Sequence, residues 1–157
     1  KMKKKFSYII FLILLGFFLI SLFFSDQIFS KKHDFKSSIW ELNDTLNFKF
    51  TSKSELNNNV VLYGKINQDY SFANIYLFAE IFVDNIKIKT DTLNCVLYDS
   101  YGNPRHKNIG NIQLFKKDYL NNFNFEDEKQ YTFKIAHGMR ELNLNGIETI
   151  GLKIKRK

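Results

Sequence analysis

The sequence is poor in cysteine and proline, and it lacks the motifs that identify common enzymes. Among 157 residues there are one cysteine, Cys95, and one proline. A single cysteine excludes an internal disulfide, and a catalytic thiol needs a histidine partner, which the scattered His33, His106 and His137 do not predict. No Gly-x-Ser-x-Gly, phosphate-binding glycine loop, His-x-x-x-His or cysteine pair occurs. The sequence therefore predicts a protein that is not an enzyme, with no catalytic, cofactor-binding or metal-binding residue.

Three features that could suggest a functional site are better explained by ordinary structural roles. Cys95 shares an alternating face with Leu93 and Leu97, which predicts a core thiol. Residues 126–128 are three adjacent acids, whereas acid–base catalysis requires carboxylates held in different environments of a cleft. Residues 99–110 contain one acid, Asp99, and no glutamate that could close a calcium loop. We expect a buried thiol and two solvated turns.

The charge of the chain is concentrated at its amino-terminal end. The formal net charge is +7, of which residues 1–33 supply +5, so the remainder is nearly neutral. In that remainder lysines alternate with apolar residues, as they do on solvated strand faces, instead of clustering on one face. The sequence therefore predicts no nucleic-acid partner.

A long apolar run follows the basic residues at the start of the chain. Residues 6–24 are interrupted only by Ser7, Gly16 and Ser21, and as a helix they would span about 28 Å, close to the hydrocarbon thickness of a bilayer. The lysines before the run predict that the rest is exported, either to the periplasm or to the outer envelope. The run is longer than a signal-peptide core and no small-x-small site follows it, which favours a retained anchor over a cleaved signal.

Composition divides the chain into three segments. Residues 1–24 are the basic start and the membrane-spanning or signal segment, residues 25–38 are a polar linker, and residues 39–157 are one domain. After residue 24 no helical periodicity occurs, and short alternating runs follow one another about every ten residues. The predicted fold is all-β, a single antiparallel β-sandwich of seven or eight strands, with the turn Asp84-Asn85 joining a hairpin and residues 74–83 as a central strand.

The stretch 131–155 is predicted to be two strands joined across a long hairpin connection. Tyr131, Phe133 and Ile135 alternate with polar residues, and residues 150–155 do the same after the turn at Gly146. A connection of this length leaves backbone groups that need partners, and Arg140 is the nearest multiple donor. We therefore favour Arg140 as a tie within the connection, with an exposed partner contact as the alternative.

The same stretch carries a family resemblance. The pattern Tyr-Thr-Phe-x-Ile from Tyr131, then Met139-Arg140, then Leu-x-Gly-Ile-x-x-x-Gly-Leu over residues 144–152, resembles the end of the GldH family of gliding-motility lipoproteins of Bacteroidetes. Residues 70–78, Tyr-Ser-x-x-Asn-Ile-Tyr-Leu-Phe, resemble a second element of that family, although a proline usual there is absent. The cysteine that is normally lipidated just after the apolar run is also absent.

The resemblance implies a function that composition does not give. It implies a non-enzymatic envelope protein that supports the gliding-motility machinery and its associated secretion apparatus, in contact with other envelope proteins and with the membrane through residues 6–24. It also implies that the motif positions serve packing or partner contact: Asn74, Met139, Arg140, Gly146 and Gly151. The alternative is a carbohydrate-binding or adhesin-like sandwich, which would use exposed rings such as Trp40, Tyr70 and Tyr101.

Overall fold

The computed structural model describes residues 27–53 and 56–157, so the predicted membrane segment at residues 6–24 lies outside the described residues. The described part is built from strands, with one 3-10 turn at Lys36–Ser38. The strands are β1 (Gln27–Asp34), β2 (Ile39–Glu41), β3 (Leu46–Thr51), β4 (Leu56–Ile66), β5 (Asn74–Val83), β6 (Ile86–Val96), β7 (Asn108–Ile109), β8 (Ile112–Phe125), β9 (Gln130–His137), β10 (Asn143–Asn145) and β11 (Ile147–Arg156). Over these two ranges, the structure contains no helix that could cross a membrane.

The strands form two larger sheets and one short ribbon. The five-stranded sheet has the order β1-β11-β4-β8-β7, the four-stranded sheet has the order β3-β9-β5-β6, and β10 pairs with β2. All of these pairs are antiparallel. The prediction of an all-β antiparallel fold is confirmed, with eleven strands in the described residues where seven or eight were expected.

Side chains from both sheets share one hydrophobic core. β11 contributes Ile150, Leu152 and Ile154, and β5 contributes alternate apolar residues that are also fully buried. Aromatic rings connect the sheets, because Phe125 of β8 lies 5.4 Å from Phe50 of β3 and 4.7 Å from Tyr131 of β9 between ring centroids. Burial of large apolar side chains, at roughly 1.5–3 kcal/mol each, is what stabilises the pair of sheets.

The segment predicted as a linker is part of the fold from residue 27 onward. β1 pairs with β11 from Gln27↔Lys155 to Asp34↔Thr149, with a register shift between Gln27 and Phe29, and Thr149 donates a 2.7 Å hydrogen bond to the Asp34 carboxylate. The predicted linker 25–38 and the domain start at residue 39 therefore need correction. The sequence Ser-Lys-Lys-His-Asp is polar because β1 is an edge strand, with only Ile28 and Phe29 packed on the core.

The predicted hairpin over residues 131–155 is wrong. β9 lies in the four-stranded sheet and β11 in the five-stranded sheet, so the chain crosses between sheets instead of turning back on itself. The connection contains β10, which pairs with β2 through Leu144↔Trp40. Alternation predicts which residues face the core but not which strand is the partner, since both sheets face the same core.

The hairpin predicted at Asp84-Asn85 is confirmed. β5 and β6 pair from Val83↔Ile86 outward, and Asp84 and Asn85 have φ values of 47° and 71°. Two successive positive φ angles are those of a tight hairpin turn, which asparagine and aspartate tolerate. β5 is also central in its sheet, between β9 and β6, as its two apolar faces predicted.

Candidate functional site

Three of the five motif positions, Gly146, Asn74 and Met139, lie in one connected unit. Gly146 has φ +81°, and a Cβ there would collide with the backbone of Tyr70. Its carbonyl accepts a 2.9 Å hydrogen bond from the Asn67 amide, and the Tyr70 hydroxyl donates to the Asn74 carbonyl at 2.8 Å. Because only glycine fits this close approach, Gly146 fixes the loop that leads into β5.

The turn after β9 docks on the start of β5. The Tyr76 amide donates to the Met139 sulfur at 3.3 Å, and the Gly138 amide donates to the Tyr76 carbonyl at 2.7 Å. Asn74 holds the other side of β5, since its side-chain amide donates to the Asn94 side chain of β6 at 2.8 Å. Asn74 and Met139 therefore position one end of β5 from both neighbouring sides.

Arg140 does not tie the connection as the sequence predicted. Its residue is exposed, and within the described residues its side chain has no hydrogen bond or ion pair. The backbone of the connection is satisfied differently, because β10 pairs with β2 and the Leu42 amide donates to the Leu142 carbonyl at 2.8 Å. Because the backbone groups of the connection pair in this ribbon, they do not need hydrogen bonds from the Arg140 guanidinium.

Next to this unit an apolar surface stays open to solvent. Tyr76 and Phe78 lie on the outer face of β5 and are 41% and 48% exposed. The Phe78 ring lies on Gly138, where a Cβ would be 2.9 Å from the ring. We call Tyr76, Phe78 and Gly138, with Arg140 two residues further along the chain, the Phe78 face. Large exposed rings on a rigid sheet are a common feature of protein-contact surfaces.

The fifth motif position, Gly151, lies elsewhere, on the outer face of β11. The Tyr63 ring of β4 lies directly across it, and a Cβ at Gly151 would collide with that ring. The Lys153 ammonium is 4.4 Å from the Tyr63 ring centroid, and the Tyr63 hydroxyl is 3.4 Å from the Ser30 hydroxyl. Glycine in a strand thus marks the close approach of an aromatic ring.

A basic groove surrounds this tyrosine. It has a volume of about 430 Å³, and we call it the lysine groove. Its polar side chains are Lys65, Lys107, Lys116, Lys153, Lys155 and His106. Its apolar wall is formed by Val61, Tyr63, Leu114 and Phe115. No carboxylate from the described residues lines it, so the groove is positive although the whole domain is nearly neutral.

Cys95 and His137 are buried, and burial disfavours the charged form of each side chain. Burial raises the pKa of the Cys95 thiol to about 11, so the thiol stays protonated, and the predicted core position is confirmed. Burial lowers the pKa of His137, whose ring packs edge-on against Trp40 at 5.4 Å. The backbones of Trp40 and Met139 oppose this shift, but neither has hydrogen-bond geometry to the ring nitrogens.

The rings proposed for sugar binding do not form an exposed row. Trp40 is fully buried and donates from its indole nitrogen to the Asp44 carbonyl at 2.8 Å, and Tyr70 is buried against the loop described above. Tyr101 alone of the three is exposed, at 89%. A planar platform for a sugar needs several coplanar exposed rings, which these three residues do not supply.

The acidic stretches form turns. The Asp99 carboxylate accepts hydrogen bonds from the Tyr101 and Asn103 amides at 2.9 and 2.8 Å, which lowers its pKa, and residues 126–128 are exposed. In the described ranges, no three histidine, cysteine or acidic side chains are grouped as a metal site.

Two solved structures are similar to this chain at low sequence identity. One is a family 35 carbohydrate-binding module from an environmental isolate, 12% identical, with a TM-score of 0.36 over 83% of this chain and 80% of the other. The other is dimeric latent PorU of Porphyromonas gingivalis, 11% identical, with a TM-score of 0.34 over 82% of this chain and 12% of the other. Scores below 0.5 support no conclusion on fold or function.

Sequence comparison is more informative. A curated relative, the gliding motility lipoprotein GldH homolog of Christiangramia forsetii, is 27% identical over 97 residues, which cover 57% of this chain and 60% of the relative. The chain thus spans less than two thirds of that relative's length. The profile of the GldH lipoprotein family matches residues 27–154, nearly the whole described part, and so confirms the resemblance seen in the motifs. The chain belongs to the GldH lipoprotein family.

Proposed function

We propose that this protein is a non-enzymatic component of the cell envelope that supports the gliding-motility machinery and the secretion apparatus associated with it. The observation that carries the proposal is the family match over residues 27–154. The motif residues support the non-enzymatic part, since Gly146 and Met139 hold backbone segments in place and neither offers a group for acid, base or nucleophilic chemistry.

The protein is held to the membrane by residues 6–24, and its domain lies in the periplasm or outer envelope. The length and flanking lysines of the apolar run support this arrangement, as does membership in a lipoprotein family. Lipidation at the only cysteine is disfavoured, because Cys95 is buried in the core at 3% exposure. The run itself is then the anchor, whereas family members are normally anchored through a lipid.

The exported domain is a β-sandwich that presents the Phe78 face to a protein partner. The shared core of the two sheets supports the sandwich. The exposed Tyr76 and Phe78 side chains support the contact, and so does the Arg140 guanidinium, which is unpaired among the described residues, since aromatic residues and arginine are enriched where protein partners bind.

A gliding assay tests the proposal. Deletion of the gene in the producing cell should abolish single-cell gliding and impair the associated secretion, and the wild-type gene should restore both. Phe78→Ser and Arg140→Ala should restore gliding poorly, while Tyr101→Ser, which removes an exposed ring from the loop after β6, should restore it fully. If the producing cell does not glide, the same genes are tested in a gliding relative that lacks its own GldH.

Two results would overturn the proposal. Full gliding and secretion after deletion would remove the motility role. Binding of the purified protein to a purified glycan, together with unimpaired gliding, would favour the adhesin-like alternative.

A further inference from the structure

We propose that the lysine groove binds the phosphate groups of anionic lipid headgroups and so lays the five-stranded sheet on the surface of the membrane that holds residues 6–24. This inference rests on the proposed membrane anchor. It assigns a ligand class to a site that the family motifs do not explain. Of the motif positions, Gly151 lies at this site, under the Tyr63 ring.

The groove has charge that is available to a ligand. Of its five lysines only Lys116 has an ion pair among the described residues, with Asp118 at 2.8 Å. On the four-stranded sheet, by contrast, Lys87 and Lys89 are paired with Glu80 at 3.1 Å and Asp91 at 2.9 Å. Each lysine near an anionic leaflet strengthens binding about fivefold, so several unpaired lysines on one face act together.

The wall of the groove suits a membrane surface as well as an anion. Tyr63 and Leu114, both partly exposed, place an aromatic ring with a polar hydroxyl and an aliphatic side chain among the lysines, whereas Val61 and Phe115 are buried. Tyrosine rings of this kind are enriched where hydrocarbon meets headgroups, and lysine stems cover apolar surface while their ammonium groups reach phosphate.

The position of the groove selects the lipid over a soluble anion. The apolar run ends at residue 24, and the first strand begins at Gln27, which pairs with Lys155 at one end of the groove. Three peptide steps extend at most about 10 Å, so the chain that leaves the bilayer enters the fold beside a groove lysine. That reach is comparable to the thickness of the headgroup layer.

Residue-resolved lysine labelling tests the docking. The full chain is reconstituted into vesicles of phosphatidylcholine alone or of phosphatidylcholine with phosphatidylglycerol, and a membrane-impermeant acylating reagent is followed by mass spectrometry. In the anionic vesicles labelling of Lys153, Lys155 and Lys65 should fall about fivefold, and salt should restore it. Labelling of Lys49 and Lys134 on the four-stranded sheet should be equal in both vesicles.

A matched pair of double variants sharpens the test. Lys153→Glu with Lys155→Glu should remove the protection of Lys65, whereas Lys49→Glu with Lys134→Glu should retain it. The pair is matched because Lys153 and Lys134 each lie 4.4 Å from a ring centroid, of Tyr63 and Phe82 respectively. Equal groove labelling in the two kinds of vesicle would overturn the proposal, and so would equal protection by inorganic phosphate in neutral vesicles, which would assign the groove to a soluble anion.

Failure of the anchor is distinguishable from failure of the docking. If an alkaline wash releases the chain from neutral vesicles, the anchor is wrong. The chain is then mixed with preformed vesicles and floated. If the chain floats with the anionic vesicles but not with the neutral ones, and the Lys153→Glu and Lys155→Glu double variant does not float, the result would still support the groove as a lipid site. Flotation with neither kind of vesicle would overturn it.

Discussion

On the outer face of each sheet an aromatic ring packs on a glycine, but the two rings differ in what covers them. On the five-stranded sheet the Tyr63 ring lies across Gly151, and on the four-stranded sheet the Phe78 ring lies on Gly138. The Tyr63 ring is covered by Lys153 and touches Ser30, so the chain itself completes that contact. The Phe78 ring has no such cover within the described residues and is 48% exposed.

This difference matches the two contacts that we propose for the domain. Tyr63 lies among lysines of which, within the described residues, only Lys116 has an ion pair, so the groove presents positive charge, which suits phosphate. The exposed Phe78 and Tyr76 rings present apolar area, which suits a protein side chain. The two faces belong to different sheets of one shared core, so a membrane contact on one sheet would leave the other sheet free for a partner.

The largest expected effect comes from Gly146→Ala, which disturbs the loop below the Phe78 face. The substitution places a Cβ at φ +81° and drives it into the Tyr70 backbone, which cannot move without breaking the hydrogen bond from its hydroxyl to Asn74. We expect a loss of about 3 kcal/mol or more in the free energy of unfolding. Urea unfolding followed by circular dichroism measures it.

Gly102→Ala is the matched control for this substitution. Gly102 has nearly the same φ, +82°, but nothing lies within 4 Å of its Cβ position. It should therefore show only the cost of the left-handed conformation, about 1–2 kcal/mol. Equal losses for the two variants would show that the contact with Tyr70 is not what requires Gly146.

Much of the strand pattern could be predicted from the sequence, but its pairing could not. Alternation identified β5, β9 and β11 and the burial of Cys95, since side chains on a strand have a period of two. The assignment of β9 and β11 to different sheets depends on long-range contacts that no local pattern contains. β1 was missed because an edge strand needs few apolar residues.

A second prediction compares the two glycine–ring contacts directly. Gly151→Ala should lower the free energy of unfolding by about 1–3 kcal/mol, because a Cβ there would displace the Tyr63 ring from its contacts with Lys153 and Ser30. Gly138→Ala should cost less than about 1 kcal/mol, because the half-exposed Phe78 ring can swing into solvent. An equal or larger loss for Gly138→Ala would contradict this account of the two faces.

The double variant Gly151→Ala with Tyr63→Ala isolates the ring contact. If the collision with Tyr63 is the cause, Gly151→Ala should cost markedly less in the Tyr63→Ala background than in the wild type.

The candidate sites themselves were only partly predictable from the sequence. Glycine inside β11 signals a close approach, but the sequence does not say that Tyr63 makes it, nor that lysines from β4, β8 and β11 converge around it.

A third prediction concerns the buried histidine beside the Phe78 face. Burial holds the pKa of His137 below its ordinary value near 6.5, so the unfolded chain binds a proton that the folded protein resists. The contribution of His137 to stability is therefore complete well above pH 6.5 and is lost progressively as the pH falls through and below that value. Carboxylates such as Asp84, whose pKa is lowered by Lys129, contribute only in more acidic solution.

Thermal melts over this pH range, on the wild type and on His137→Gln, measure the effect. The variant cannot take up the proton, so its melting temperature should be flat where that of the wild type declines. A decline of the same slope in both proteins would assign the acid sensitivity to another group.

The smallest expected effect is that of Arg140 on stability. Its side chain is exposed and has no hydrogen bond or ion pair in the described part of the chain, and the connection around it is held by the pairing of β10 with β2. Arg140→Ala and Arg140→Lys should therefore change the free energy of unfolding by less than about 0.5 kcal/mol, as surface substitutions generally do. A loss of about 1–3 kcal/mol in Arg140→Lys would instead support the prediction from the sequence that Arg140 ties the connection, because lysine keeps the charge but lacks the planar fork. If stability is unchanged while Arg140→Ala impairs gliding, the guanidinium acts outside the fold, in contact with a partner.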